Sequence, residues 1–459
     1  MASILIAITG QTGIRNACLE LGRRLREAGH EPHFCAPRTD LDAFAAAGLA
    51  FTELPTIELD GHESLVTLRA PGRPWYVPRR VHRWWLHRRA RGEEAALRTR
   101  ADELTESTDF IALGRQLQPD LVLIDVELHE YILAAYGEGW PVAHLSQWYG
   151  IWRREGLPYQ LTDARPEVGQ AALDETWDRV SAQRQKMYAA IARRSYGSDR
   201  RSALLRLAER VGYPAEEFGP SYWPGPLAYR TWPTLLMAPW EMELPHAPRP
   251  GTHYVGPMVA EGRVERDSVR DRERSLDNII QRARGEGRKI LVVTVSTLSG
   301  ADVSFLGKLI AALREEPGWC MLFAYGRKMI PKEMTDLPEN VHRFAYLPQL
   351  RALRTADLSI NHGGIHTIHE CLHFGVPMLV YSGKRSDQPG CAVRVAYHGV
   401  GVMADKDVDS VEDIRRKIAA TLADGGIRGR IAEMQPKISR YRTERVLETR
   451  IEELLNGKG

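Results

Sequence analysis

Between Ile360 and Gln388 the chain reads INHGGIHTIHECLHFGVPMLVYSGKRSDQ, an apolar run, paired glycines, four histidines and a closing Asp-Gln within 29 residues. The segment DLSIN runs as a strand into His362-Gly363-Gly364, and a helix is expected from Ile365, with Ile368 and Leu372 on one face. Glycines at such a turn let a ligand approach the backbone, and a helix N-terminus offers free N–H groups and a positive dipole end to an anion. This order describes a diphosphate seat. His362 and Thr367 can each donate a hydrogen bond to it, and Glu370, about one turn further on, can accept from ribose hydroxyls. Gly375 is placed to end the helix and VPMLVYS to form the next strand. Asp387-Gln388 then emerge at that strand's carboxyl end, where open α/β sheets bind ligands, and would meet the polar ring of a sugar.

Positioning such residues requires parallel sheets. SILIAI, EPHFCA, FTEL, DLVLID, PVAHLS and TLLMA alternate with helical patterns in the first half, and KILVVTVS, CMLFAY, VHRFAY, LSIN, PMLVY and GVGVMA repeat the scheme in the second. Short buried strands alternating with helices are the signature of βαβ units. The expected fold class is α/β, with two Rossmann-like lobes at residues 1–242 and 263–440 joined by a linker at 243–262. From Glu243 to Val259 that linker holds four prolines and two glycines, which discourage regular structure. An early helix carries Cys18, Leu21, Leu25 and Ala28 on one face and ends at Gly29. The charged stretch from Glu261 to Lys289 reads as a solvated connector and helix. SVEDIRRKIAATLA and RYRTERVLETRIEELL read as amphipathic helices, the second, within 441–459, packing across both lobes.

Totals agree with this layout. A chain of 459 residues exceeds one core, since cores stop growing near about 250–300 residues. Hydrophobic residues at 43% and charged residues at 26% mark an ordinary globular protein, and a net charge of +3 implies no general attraction to polyanions. Five cysteines without a CxxC argue against a disulfide framework or structural zinc site. No leader pattern and no apolar run of about 20 residues is present, so a soluble, cytoplasmic protein is expected.

Together with the preceding YLPQLRALRTADLSI, the 29-residue stretch closely resembles the donor-binding signature of the UDP-glycosyltransferase family, glycosyltransferase family 1, of GT-B fold. Tyr346-Leu347-Pro348-Gln349 corresponds to the family's aromatic-x-Pro-Gln, and His362 to Glu370 to its His-x-Gly-x-x-Ser/Thr-x-x-Glu. Gly375 to Pro377 and Asp387-Gln388 follow in order, and the tail DQPGCAVRVAYHGVG is similar to bacterial carotenoid and macrolide glycosyltransferases. The resemblance implies sheets facing across a cleft and a C-terminal helix crossing back to the amino lobe. It implies a nucleotide base on Tyr346 and Gln349, diphosphate on His362, Gly364 and Thr367 with Ser296 in the facing turn, ribose on Glu370, and the transferred sugar on Asp387 and Gln388. The co-substrate would be a UDP-sugar or dTDP-sugar, with no separate cofactor and no metal. The acceptor would be a lipophilic or amphiphilic natural product or lipid bearing a hydroxyl, glycosylated with inversion. Tyr346 replaces the family's Trp, His366 its Asn, and Leu298 of STLS a Gly.

The first loop of that family supplies the catalytic base. Aligning back from Leu25 puts Ile14 at the base position and Ala17 at the usual Pro, and Ile14 cannot move a proton. Three explanations stay open. Asp125 of LIDVELHEY, at a strand's C-terminal end with Glu127 and His129 nearby, could supply the base; the acceptor could need little base; or the chain could bind sugar nucleotides as a catalytically silent auxiliary protein.

His366, His369 and His373 invite a metal reading, but no fourth ligand of matching spacing follows, so solvated or capping histidines are expected. Ala70 to Glu94 holds seven arginines and three tryptophans. Such a segment suits an anionic ligand, a membrane surface or single-stranded nucleic acid. The reading adopted is a surface helix with Trp84 and Trp85 packed inward and arginines snorkelling outward. Nucleic acid is not expected as a partner, transient membrane contact stays open, and oligomeric state is not legible.

Overall fold

A computed structural model of the chain describes residues 1–38, 41–54, 64–222, 225–263, 270–294, 303–325, 336–384 and 386–457. The amino-lobe strands are β1 (Ser3–Ala7), β2 (Glu31–Ala36), β3 (Ala50–Glu53), β4 (Leu121–Asp125), β5 (Val142–Ser146), β6 (Thr234–Leu236) and β7 (Thr252–Tyr254). They form one sheet in the order β3-β2-β1-β4-β5-β6-β7, every pair parallel. The carboxyl-lobe strands are β8 (Lys289–Thr294), β9 (Trp319–Ala324), β10 (Val341–Phe344), β11 (Leu358–Asn361), β12 (Met378–Tyr381) and β13 (Gly401–Ala404). Their order is β10-β9-β8-β11-β12-β13, again all parallel.

Runs such as Leu121 to Asp125 are buried along their whole length because helices cover both sheet faces, which is why these strands read as continuous apolar runs. In each sheet the order reverses beside the first strand of the lobe, at β1/β4 and at β8/β11. The crevice at the carboxyl ends of such a strand pair is where doubly wound sheets bind ligands.

Two sequence expectations change. The stretch expected to be an irregular linker contributes β7, which pairs with β6 and closes the amino-lobe sheet; Thr252, His253 and Tyr254 are strand formers, and an edge strand tolerates the flanking Pro and Gly. RYRTERVLETRIEELL is not one helix, because Arg445 takes a left-handed φ of 54° between helices Gly425–Thr443 and Val446–Leu455. That break turns the last helix onto the amino lobe. Leu447 and Ile451 there join the cluster of Ile4, Ile14 and Leu25, and Arg24 pairs with Glu448 at 2.8 Å.

The lobes share a core. One apolar cluster runs from Tyr149, Leu157 and Leu236 through Met242 to Ile290, Ile368 and Met378. At its centre lies a buried ion pair between Arg394, in helix Gln388–Tyr397, and Glu243 of the junction. Arg394 also donates to Gln160 Oε1 (2.5 Å) and lies 4.9 Å from the Tyr149 ring, while Glu243 Oε1 accepts from Gly150 N (2.8 Å) and the Tyr254 hydroxyl (2.9 Å). The cation beside it holds the Glu243 carboxyl below its usual range against the opposing effect of burial.

Arg394→Met would strand the Glu243 carboxylate and should cost about 3–5 kcal/mol of stability, read as a lower urea midpoint; adding Glu243→Gln should recover much of the loss. An unchanged midpoint in the single variant would show that the pair carries no structural weight.

Candidate functional site

His362 follows β11 at the reversal point of the carboxyl-lobe sheet, and its Nδ1 lies 3.0 Å from the Thr294 carbonyl at the end of β8. A carbonyl only accepts, so Nδ1 carries the proton and Nε2 is left with its lone pair in the neutral ring. Burial holds the His362 pKa below its usual value. Gly363 adopts φ +86°, and a Cβ there would sit 2.9 Å from the Gln388 carbonyl oxygen, so only glycine fits. Helix Ile365–Phe374 starts at Gly364 with no side-chain cap and no acidic residue in its first turn. Its first N–H groups are therefore available to an anion. Gly375 at φ +75° ends it.

Thr367 and Glu370 stand one turn apart on this helix, bridged by Gln349, whose Nε2 donates to Thr367 Oγ1 (3.3 Å) and Glu370 Oε2 (2.5 Å). Arg263 donates to the other Glu370 oxygen at 2.5 Å, both side chains being nearly buried. Arg263 belongs to the charged stretch read as a solvated face. Its role is invisible in a sequence that places it among other arginines and glutamates, because the partner lies on a helix 107 residues away. Tyr346, 38% exposed, leaves its ring open to a stacking partner. The structure thus brings Gln349, Thr367 and Glu370 into one hydrogen-bonded group and sets His362 against Gly364 at the start of the same helix.

Asp387 and Gln388 lie beside it but are turned inward. The Asp387 carboxylate accepts from Cys391 Sγ (3.3 Å), and burial pushes its pKa up to about 6. Gln160 of the amino lobe holds this corner, donating to the Asp387 carbonyl (3.3 Å) and accepting from Gly390 N (2.9 Å). Ser296 lies outside the described residues.

Of the histidines on this helix His373 is solvated, as expected, whereas His366 and His369 are enclosed between elements. His366 Nε2 donates to Gln147 Oε1 at 2.6 Å, His369 Nε2 meets the Tyr149 hydroxyl at 2.8 Å, and His373 faces Glu261 at 3.0 Å. Burial and Arg263 push His366 down to about 4. The His366 and His369 rings are lobe-to-lobe contacts, which a metal reading from helical spacing could not foresee.

Facing that helix, the first helix (Thr12–Glu27) comes so close that a Cβ on Gly13 would lie 2.6 Å from His366 Cδ2. Ile14 is fully buried in the amino-lobe core and touches no cleft. Carboxylates instead occupy the ends of the neighbouring strands. Asp125, at the end of β4, is 1% exposed and accepts from Thr9 Oγ1 (2.9 Å) and Glu127 N (3.1 Å). Glu127 is half-buried, with Gln11 Nε2 at 3.4 Å and Arg200 donating to its carbonyl. Burial raises both carboxyl pKa values, and the Asp125 charge raises Glu127 further. His129 is buried against the Tyr229 hydroxyl (3.2 Å), away from the pair.

A cavity of about 520 Å³ is lined by Val126, the residue between the two carboxylates, and by Ser146, Trp152, Tyr222, Tyr229 and Arg249. Burial, Arg154 and Arg230 together lower the Arg249 pKa, so three guanidiniums crowd this wall.

Residues 327–447 match the family described as Erythromycin biosynthesis protein CIII-like, C-terminal domain. NDP-glycosyltransferase YjiC of Bacillus subtilis (strain 168) is 28% identical over 185 residues, a stretch that spans 40% of this chain and 43% of that protein. The structure of a glycotransferase of kitacinnamycin superposes with a TM-score of 0.67 at 18% identity, covering 99% of this chain and 98% of that one. Glycosyltransferase VinC in complex with DTDP gives a TM-score of 0.60 at 17% identity over 100% of both chains. The fold is GT-B, two Rossmann-like lobes with the last helix crossing back.

Asp125→Asn should lower the Glu127 pKa by removing the adjoining charge, as read by a carbon-detected carboxyl titration. A Glu127 value that stays put would mean that the two groups titrate independently.

Proposed function

We propose that this chain transfers a sugar from a UDP- or dTDP-sugar to a hydroxyl of an amphiphilic acceptor, with inversion. The observation that carries this reading is the uncapped helix at Gly364, free of first-turn acids and set in a sheet-reversal crevice, against which the amino lobe packs Gly13, two residues from the Gln11 that reaches Glu127. The diphosphate would rest on the N–H groups after Gly364, with His362 Nε2 and Thr367 beside it, the base on Tyr346 and Gln349, and the ribose against Glu370. Fixed N–H dipoles stabilise a departing diphosphate without reorganising, so the proposal needs no metal; EDTA should leave transfer unchanged.

The acceptor belongs in the cavity beside Val126, whose aromatic wall suits an apolar body and whose arginines suit a polar or negative group. Asp125 was the residue expected to act as base. Its oxygens are engaged by Thr9 and Glu127 N, so Glu127 is the better placed to take the hydroxyl proton, with Asp125 holding the loop and raising Glu127's pKa. The acceptor oxygen then attacks the anomeric carbon as the bond to the diphosphate breaks and that group leaves toward Gly364. Relatives and solved neighbours named as glycosyltransferases support this reading.

Calorimetric titration of UDP or dTDP tests the donor seat. A neutral His362 must gain a proton on Nε2 to donate to phosphate, and its pKa is low in the free protein and rises beside the anion. Affinity should therefore fall as pH rises through the nucleotide-bound pKa, and His362→Ala should lose that difference; equal affinity and pH response in both would remove the assignment. Glu127→Gln should lower turnover by about 10²–10⁴ with donor affinity little changed. Wild-type kcat should rise with pH through about 8 as Glu127 ionises. Tight donor binding with neither transfer nor donor hydrolysis would favour a silent sugar-nucleotide binder.

A further inference from the structure

The helix Arg79–Gly92 inverts the usual rule for a surface helix. Val81, Trp84, Trp85 and Arg88 fall at i, i+3, i+4 and i+7, the spacing of a core-facing stripe. Here that stripe faces outward, with Trp84 60% and Trp85 42% exposed, while Ala90 is buried and Leu86 half-buried on the opposite side. The expectation that the two tryptophans pack inward is therefore reversed. Trp75, 89% exposed, and the exposed Tyr76 extend the apolar surface just before the helix, their rings edge-on at 5.8 Å.

Arg80, Arg89 and Arg91 flank this stripe at helical spacing, and Arg88 lies within it. No Asp or Glu occurs between Ala70 and Gly92. Among the described residues Arg79, Arg80, Arg83 and Arg91 have no carboxylate partner, and only Arg89 pairs, with Glu93 at 3.0 Å. The Arg88 guanidinium lies 5.7 Å over Trp84 and that of Arg89 5.8 Å over Trp85. The segment leaves the sheet at the carboxyl end of the edge strand β3, the same end of the parallel sheet at which Asp125 closes the interior strand β4.

We propose that the Arg79–Gly92 helix and the Trp75–Tyr76 turn form a docking face for an anionic phospholipid surface. Val81, Trp84 and Trp85 enter the boundary between headgroups and acyl chains, and the arginines meet headgroup phosphates. An exposed aromatic stripe flanked by cations on a convex helix is the form of an interfacial anchor. Other occupants fit less well. Bases of a single strand need open ring faces, and on the helix Arg88 already takes a face of Trp84 while Arg89 and His82, the latter 6.3 Å away, flank Trp85. A second copy of this chain docked through the same face would set arginine against arginine.

Flotation with phosphatidylcholine vesicles, with and without phosphatidylglycerol, tests the proposal. The wild-type chain should float only with the anionic vesicles and be released by salt. Each neutralising change, Arg80→Gln or Arg91→Gln, should weaken binding about fivefold, and Trp84→Ser with Trp85→Ser should abolish it. UDP titration of the same variants should match wild type, showing that the lobes are intact and that vesicle binding stands or falls apart from sugar transfer. Equal flotation with pure phosphatidylcholine, unchanged flotation of the tryptophan variant, or a preference for single-stranded RNA over vesicles would overturn the assignment.

Discussion

A guanidinium without water must find oxygen acceptors for its N–H groups, and Arg394 finds them on three different parts of the chain. Glu243 comes from the junction between lobes, Gln160 from the long excursion after β5, and the Gly390 carbonyl from its own helix. Each of these acceptors can be supplied only if junction, excursion and helix sit in one arrangement. Buried ion pairs contribute little net stability, because desolvation offsets much of their attraction, but a mismatched arrangement strands a charge at a cost of several kcal/mol. The pair therefore acts mainly by excluding other placements of one lobe on the other. Helix Gln388–Tyr397, which carries Arg394, begins at the Asp387-Gln388 corner, so the same constraint fixes that edge of the crevice.

Charge is segregated across the cleft. On the carboxyl lobe, the open helix end at Gly364 meets no acidic side chain in its first turn, and Glu370 further along is neutralised by Arg263. On the amino lobe, Asp125 and Glu127 share a buried site in which two negative charges repel. On the proposed reading an anion and a proton acceptor have separate seats, as a reaction that expels an anion and collects a proton requires. Placing the carboxylates nearer the helix would quench the field that the anion needs. Contacts such as Gly13 against His366 and Gln147 against His366 keep the two seats opposed without letting them merge.

The outer face of the Arg79–Gly92 helix follows a different logic. Apolar stripes normally record a partner, and this helix has one on each side: the lobe behind Leu86 and Ala90, and the outward surface of Val81, Trp84 and Trp85. Periodicity alone gives the existence of a stripe but not its direction. With bulky residues on more than one face, only the packing of neighbouring elements decides which face is covered.

The amino-acid sequence by itself determined every strand but β7, the two-lobed parallel architecture and the glycine turn that leads from β11 into the helix at Ile365. These depend on local features: continuous apolar runs, glycines where φ must be positive, and a short ordered series of polar side chains around one strand-helix turn. It also determined that Ile14 cannot be a base. Only the tertiary structure supplies the surroundings of Glu127, the base proposed in its place, because they come from Gln11, Asp125 and Arg200, on three separate parts of the chain. The same holds for the Arg263–Glu370 pair, the cross-lobe use of His366 and His369, the β7 edge strand and the outward tryptophans. Each depends on burial and on partners more than a hundred residues away or on another element, and desolvation and pairing are properties of the folded neighbourhood that no local spacing encodes.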